Sequence, residues 1–348
     1  LYLLLLYLLL LYLLLLYLLL LYLHIIYIML NKYIVAIPSY KRPIIFKNKT
    51  LKLLIEHKID PKKIIIFVSD NEQKKIYEEE IDKKHYNKLV VGERGIKNIR
   101  NFMANYFKEK QRIFYMDDDI SHIFEIFNNK DGKVIEKIDK NYDKGDNSLH
   151  NMKDLHKFIE LAFNIAKQKK CDNWGVYPVE NPYFMKPTSK NIDDYTTTKL
   201  VYIIGFMTGV VNNKKAELRT IDDKEDYERS IKYYLKDGGV LRFTNVTCRT
   251  RCYKEPGGMQ INRTKNRIHD SAVYLTHKYP LLCTLNTKKK SGYTEIRLRD
   301  RRFSKGMKLD CKSLLKSKNN KNNKKTKKLV EIKIKNMNIP KCKKTLTK

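Results

Sequence analysis

The segment Arg112–Phe124, RIFYMDDDISHIF, limits what this chain can fold into more than any other. Four apolar residues, Ile113–Met116, run straight into three carboxylates, Asp117, Asp118 and Asp119; apolar residues resume at Ile120, Ile123 and Phe124. A short apolar run ending in turn-forming Asp reads as a buried strand. Such a strand delivers its acids to the carboxyl edge of a sheet, where open α/β sheets bind their ligands. Three adjacent carboxylates repel one another, and burying them without counter-charge is costly. A divalent cation is the simplest remedy. Alternation along an extended chain puts Asp117 and Asp119 on the same side. Oxygen ligands so placed suit Mg²⁺ or Mn²⁺, with diphosphate oxygens completing the shell. The alternative is a solvated acidic loop, which the preceding apolar strand disfavours.

The elements before this strand predict an α/β fold. Tyr33–Ile37 reads as a first strand, ended by Pro38-Ser39-Tyr40-Lys41-Arg42-Pro43. Thr50–His57 has helical apolar spacing, Ile64–Val68 is a second buried strand, and Glu72–Ile81 is a charged helix. Leu89–Val91 is a third strand, and Ile96–Phe107 carries apolar residues on one helical face. This β-α-β-α-β-α-β order with short connections points to a mainly parallel sheet with helices on both faces. Beyond it, Asn128–Gly132 reads as a hairpin turn and Asp139–Ser148 as a loop. Leu149–Gln168 reads as an amphipathic helix, and Trp174–Met185 as irregular and Pro-broken. Leu200–Ile204, Gly209–Val211 and Leu241–Cys248 read as strands, and Asp226–Lys236 as a helix after the acidic turn Ile221–Glu225.

Both ends differ in character from the middle. Leu1–Tyr27 is an LYLLL repeat with no initiating Met. It is long enough to span a bilayer, but its strict five-residue period matches no helical face and looks like a translated microsatellite. Residues 1–30 are therefore set aside as an artefact or a membrane anchor. Lys32, Lys41 and Arg42 would leave the catalytic part of an anchored chain cytoplasmic. From Ser304 the chain is mostly Lys and Asn, so 303–348 reads as a disordered basic tail. The net charge of +33 exceeds what AT-rich coding explains and favours a polyanionic partner. Cys248 and Cys252 lack a matching second pair, which argues against zinc; the six scattered Cys read as reduced thiols in an intracellular protein.

Taken together, IPSYKRP, KTL, FVSDNEQ, LVVGERGIKNIRN, YMDDDI, WGVYPVENPYFM, YIIGFMTGVV, DDKEDYERS and GYTEIR resemble the TET-associated glycosyltransferase family over about Tyr33–Arg299. The resemblance implies a GT-A fold in residues 31–302, with a nucleotide-sugar half (31–127) and an acceptor half (128–302). It further implies a nucleotide-sugar donor, a uridine diphosphate sugar foremost, Mn²⁺ or Mg²⁺ at Asp117 and Asp119, and hydroxymethylated pyrimidine in DNA as the acceptor. At the first strand's mouth, with Pro38 and Ser39, Tyr40 is suited to stack on the base and Arg42 to meet phosphate. Asp70 is a candidate for base or ribose. Arg94 and Arg100 stand near a helix N-terminus that favours an anion. Arg100-Asn101 resembles the family's RN pair at the donor sugar, and Asp118 lies within the acid motif. An acid of Glu225-Asp226 would deprotonate the acceptor hydroxyl, Asp226 first, with Asp222 and Asp223 as rivals. Helix capping is the competing explanation for Asp226. A further metal ligand is available in His269 or His277. Arg242, Arg249, Arg251, Arg263 and Arg267, with Phe243 and Tyr253 among them, suit nucleic acid.

Two other classes compete. One keeps the transferase and changes the acceptor to protein, lipid or glycan, which a genuine anchor would favour. The other is a nucleic-acid-binding protein or two-metal nuclease on Asp117–Asp119, for which only the 222–226 cluster supplies further acids.

Overall fold

The computed structural model describes residues 2–126, 149–250, 257–258, 263–286 and 292–300. Its helices are α1 (Tyr2–Asn31), α2 (Pro43–Phe46), α3 (Lys52–Glu56), α4 (Asn71–Glu80), α5 (Ile96–Tyr106), α6 (Leu155–Gln168), α7 (Ile192–Tyr195), α8 (Lys214–Glu217), α9 (Glu225–Asp237) and α10 (Lys265–Lys278). The strands are β1 (Tyr33–Pro38), β2 (Ile64–Val68), β3 (Lys88–Val91), β4 (Arg112–Met116), β5 (His122–Glu125), β6 (His150–Asn151), β7 (Asn173–Tyr177), β8 (Thr196–Lys199), β9 (Met207–Val211), β10 (Val240–Arg249), β11 (Cys283–Leu285) and β12 (Ile296–Leu298).

One sheet has the order β3-β2-β1-β4-β9-β7-β10-β5-β6, with β8 also paired to β10. β3, β2, β1, β4, β7, β10 and β6 run one way; β9, β5 and β8 run the other. This is a mixed α/β arrangement, mainly parallel in strand direction. Alternation decides the faces. Val35, Ile37, Ile64, Ile66, Phe114 and Met116 join one core with α6, while Ala36, Ile65, Phe67, Ile113 and Tyr115 join another with α5. Both faces are covered, so the strands read as continuous apolar runs. Val35 pairs with Ile64 and with Phe114, which brings the ends of β1 and β4 to the same edge.

Several expectations need correction. Asn173–Tyr177 is a central strand and not irregular: Trp174 fills the core against Phe114, Phe158, Phe163 and Phe243. Leu200–Ile204 is not a strand. Its backbone is engaged instead by α9 side chains, Ile203 N–H donating to Ser230 and Ile204 C=O accepting from Arg229. The helix expected from Leu149 begins at Leu155, because Asp154 caps it and His150–Asn151 pair with β5. The hairpin turn and the loop at 139–148 lie outside the described residues, as do Arg251, Tyr253, Cys252 and the basic tail. Cys171, Cys248 and Cys283 are buried. The repeat forms a helix whose described side chains, Tyr2 and residues 7–20, are all exposed.

Gly209 on β9 is required by Trp174. A Cβ there would sit 2.1 Å from the indole Cε2, which is wedged among rings and has nowhere to move. Gly209→Ala is expected to destabilise by about 2 kcal/mol through overpacking, as a lower urea midpoint with an unchanged slope.

Candidate active site

β4 ends at Met116, and Asp118 and Asp119 form a turn, so strict alternation does not extend through the trio. Thr50 staples this turn. It lies in a π-helical stretch, Lys47–Leu51, between α2 and α3, and is fully buried. Its Oγ1 donates to Asp117 C=O (2.7 Å) and accepts from Ile120 N–H (3.0 Å). The far side is tied to the strand neighbour by Asp117 N–H donating to Phe206 C=O at 2.9 Å.

The β1 loop meets the turn directly. Ser39 Oγ donates to Asp118 Oδ2 at 2.6 Å and lies 2.5 Å from the Tyr77 hydroxyl. Because Ser39 has one proton and gives it to the carboxylate, Tyr77 is the donor in that second contact. Tyr77 accepts in turn from Arg42 N–H at 3.1 Å. The Arg42 guanidinium lies 3.0 Å from Asp118 and 3.9 Å from Asp119, and donates to Gly257 C=O. Burial nevertheless pushes the Asp118 carboxyl up to about 6, against the pull of Arg42 and Ser39. Asp119 is also raised, by burial and then by the Asp117 charge, while a Thr250 hydrogen bond opposes the rise.

The third part lies under α9. Arg100, buried on α5, reaches Asp117 Oδ1 at 2.5 Å and stands 3.8 Å from Glu225. Glu225 accepts from Arg219 Nε at 2.9 Å, and Arg219 pairs with the buried Glu217 at 2.7 Å. Burial alone would discharge these groups. For Arg219 the carboxylates of Glu217 and Glu225 outweigh it, and for Glu225 the guanidiniums of Arg219 and Arg100 do. Asp226, next in sequence, goes the other way: burial and then the negative Glu225 push its carboxyl up. Two adjacent acids are thus driven apart, one locked as an anion and the other made more basic, a pattern that separates acid–base groups from structural ones. Asp226 does not cap its helix. Lys224, in a left-handed conformation, holds the cap position, and Asp226 Oδ2 accepts from the Tyr202 hydroxyl at 2.5 Å. A Cβ on Gly205 would lie 3.1 Å from Glu225 Oε1 and 3.4 Å from Asp226 Cβ, so glycine lets the segment before β9 approach the acids.

The remaining candidates fall in different places. Pro38 ends β1, and Arg94 and Lys41 both lie over the Tyr40 ring, at 5.4 and 5.6 Å. Asp70 caps α4 by accepting from Gln73 N–H, which holds its carboxyl below the usual range. Asn101 is engaged at both amide atoms by the Arg219 backbone. The N-terminus of α5 meets an anion from the chain itself, Asp222 accepting from Lys97 N–H at 3.0 Å. Asp223 is buried between Arg263 and Arg267. Arg249 pairs with Glu180, and Arg242 lies over Tyr177. The basic second half is therefore not one patch, because its described arginines hold separate internal contacts. His269 and His277 are exposed on α10, with His269 against Thr294. Sequence reasoning missed Thr50, Tyr77, Tyr202, Glu217 and Arg219.

Among the described residues, no group of three or more His, Cys, Asp or Glu is placed to hold a metal ion. The chain also supplies its own counter-charges, Arg42 and Arg100, so self-repulsion of the trio does not by itself call for a cation. What fits a divalent ion is narrower. Asp117 and Asp119 are close enough for one charge to raise the other's pKa, and one or two carboxylates plus phosphate oxygens are an ordinary Mg²⁺ shell. A groove of about 430 Å³ is lined by Lys49, Lys52, Glu56, His57, His122 and Lys153 among others, and by none of the acid trio.

No family profile and no curated protein matches the chain. Among solved structures, S. aureus TarS 1-349 overlaps it at TM-score 0.39 and 10% identity, over 70% of this chain and 65% of that one. A second S. aureus TarS structure gives 0.38 and 11%, over 70% and 40%. UTP-bound UGPase from Acinetobacter baumannii gives 0.34 and 9%, over 61% and 85%. The chain thus spans less than two thirds of either TarS chain, and overlap at this level transfers no activity to it.

Proposed function

We propose that this chain is a glycosyltransferase that moves a sugar from a nucleotide-sugar donor, a uridine diphosphate sugar, to an acceptor hydroxyl, with hydroxymethylated pyrimidine in DNA as the acceptor. One observation carries the reading: an ion-pair chain from the part-exposed Asp117 through the buried Arg100 to the buried Glu225 ties the carboxyl edge of β4 to the one raised carboxyl at the head of α9. The resemblance in sequence supplies the sugar and the acceptor. Asp226 takes the proton of the acceptor hydroxyl, and the acceptor oxygen forms the new bond to the anomeric carbon. The bond from that carbon to the diphosphate breaks, and its electron pair leaves with the diphosphate. Asp117 and Asp119 would hold Mn²⁺ or Mg²⁺, which supplies charge stabilisation to the leaving diphosphate. Arg42 and Arg100 place positive charge on the same edge.

The test is the full chain with UDP-sugars, Mn²⁺ and hydroxymethylpyrimidine-containing DNA. Sugar-dependent UDP release with label on the DNA, both lost on chelation with EDTA, is the expected result. UDP release without labelled DNA would move the acceptor to protein, lipid or glycan. Nicked DNA without donor would select a nuclease. No UDP release from any donor, with no thermal shift on adding one, ends the reading.

A further inference from the structure

The segment 202–206 precedes β9 and is stitched to the first turns of α9. Tyr202 OH donates to Asp226 Oδ2, Ile203 N–H donates to Ser230, and Ile204 C=O accepts from Arg229. Ser230 in turn donates to Asp226 C=O at 2.8 Å. The Tyr202 ring stacks on Tyr227, centroids 4.3 Å apart and 25° between planes. Lys224 Nζ lies 5.5 Å from the Tyr227 ring and holds Glu295 at 3.1 Å. The tyrosine is thus fixed by its backbone and its ring, and its hydroxyl is delivered to one oxygen of one carboxylate.

We infer that Tyr202 is a positioning residue for Asp226, holding Oδ2 so that the carboxylate keeps one orientation toward the acceptor hydroxyl. The inference rests on the transferase reading above and names a residue that reading does not use. A hydrogen bond donated to a carboxylate favours its charged form. The other charged groups facing Asp226 are Glu225 on the same helix, which raises its pKa, and Lys224 and Arg229, which lower it. Oδ1 accepts separately from the Tyr227 backbone N–H at 3.0 Å. The Tyr202 hydroxyl is the neutral side-chain donor, and so can be removed without changing the charge around the acid.

Tyr202→Phe keeps the stacked ring and deletes only the hydroxyl. In the full chain, the acid limb of the kcat profile should move up by about one pH unit, the amount that a hydrogen bond to a charged group supplies. Below that limb kcat should fall about tenfold, with the donor KM unchanged. A carbon-13 titration of the Asp226 carboxyl, assigned against Asp226→Asn, should move up by the same amount without any turnover being needed. An unmoved titration, or a raised KM with an unmoved kcat profile, overturns the inference. A moved titration in a protein whose wild type transfers no sugar from any donor removes the transferase reading, and the role of Tyr202 with it. That result is distinguishable, because the contact itself would have been detected.

Discussion

Asp226→Asn should lower sugar transfer by about a hundredfold to ten-thousandfold, the usual contribution of a positioned general base. Donor binding, read as a thermal shift with a UDP-sugar, should be unchanged. Three features make this position the sensitive one. Its carboxyl is raised by burial and by Glu225, so it is a better base than an exposed aspartate. Part of its surface still reaches solvent, whereas Glu225 is buried against guanidiniums. Amide replacement keeps the shape and an oxygen for Tyr202 to donate to, so the fold should survive. The same substitution at Asp222 or Asp223 should act through stability, since these acids hold α5, Arg267 of α10 and Arg263 just before that helix. Full transfer activity in Asp226→Asn would remove the base from the reading.

Arg219→Met should cost about 3–5 kcal/mol, the penalty for removing one partner of a buried ion pair. Arg219 is 3% exposed and Glu217 is 0% exposed, so Glu217 would be left out of water and without its ion-pair partner, with Arg229 and Lys232 acting only from further off. Glu225 would keep Arg100, 3.8 Å away, and the weaker pull of Arg229. Adding Glu217→Gln should return a good part of the loss, because the orphaned charge goes with it. Urea denaturation of the two single variants and the double variant measures the coupling. Equal losses in Arg219→Met and the double variant would mean that the pair contributes nothing beyond packing.

Much of the first half was legible. β1, β2 and β4 are short apolar runs ended by Pro, Ser or Asp, and such runs form strands when both faces are covered. α10 was equally available. Thr264 is its cap, and Ile268, Ala272 and Leu275 share one face, but the charged residues around them obscured the stripe. β7 was not legible, because Trp174 and Gly175 form a strand only where Gly209 leaves room. The site divides the same way. The acid trio and the pair at 225–226 stand out locally. Thr50 meets the Asp117 carbonyl across 67 positions, and Tyr77 meets Ser39 across 38. Nothing near either residue marks those contacts. Arg42 and Arg100 were not legible as counter-charges to the trio for the same reason, since they meet it only once the sheet has formed.

The placement of β9 bears on how the chain comes together. β4 has β1 on one side, and its other side is covered by Met207–Val211 running antiparallel. When synthesis has passed β4, three parallel neighbours can already assemble, but the acid-bearing strand still offers an open row of N–H and C=O groups. That row waits for about ninety further residues to emerge, several seconds at ordinary translation rates. A fragment stopped after β5 would keep the same raw border permanently, and would be prone to stick to its own copies.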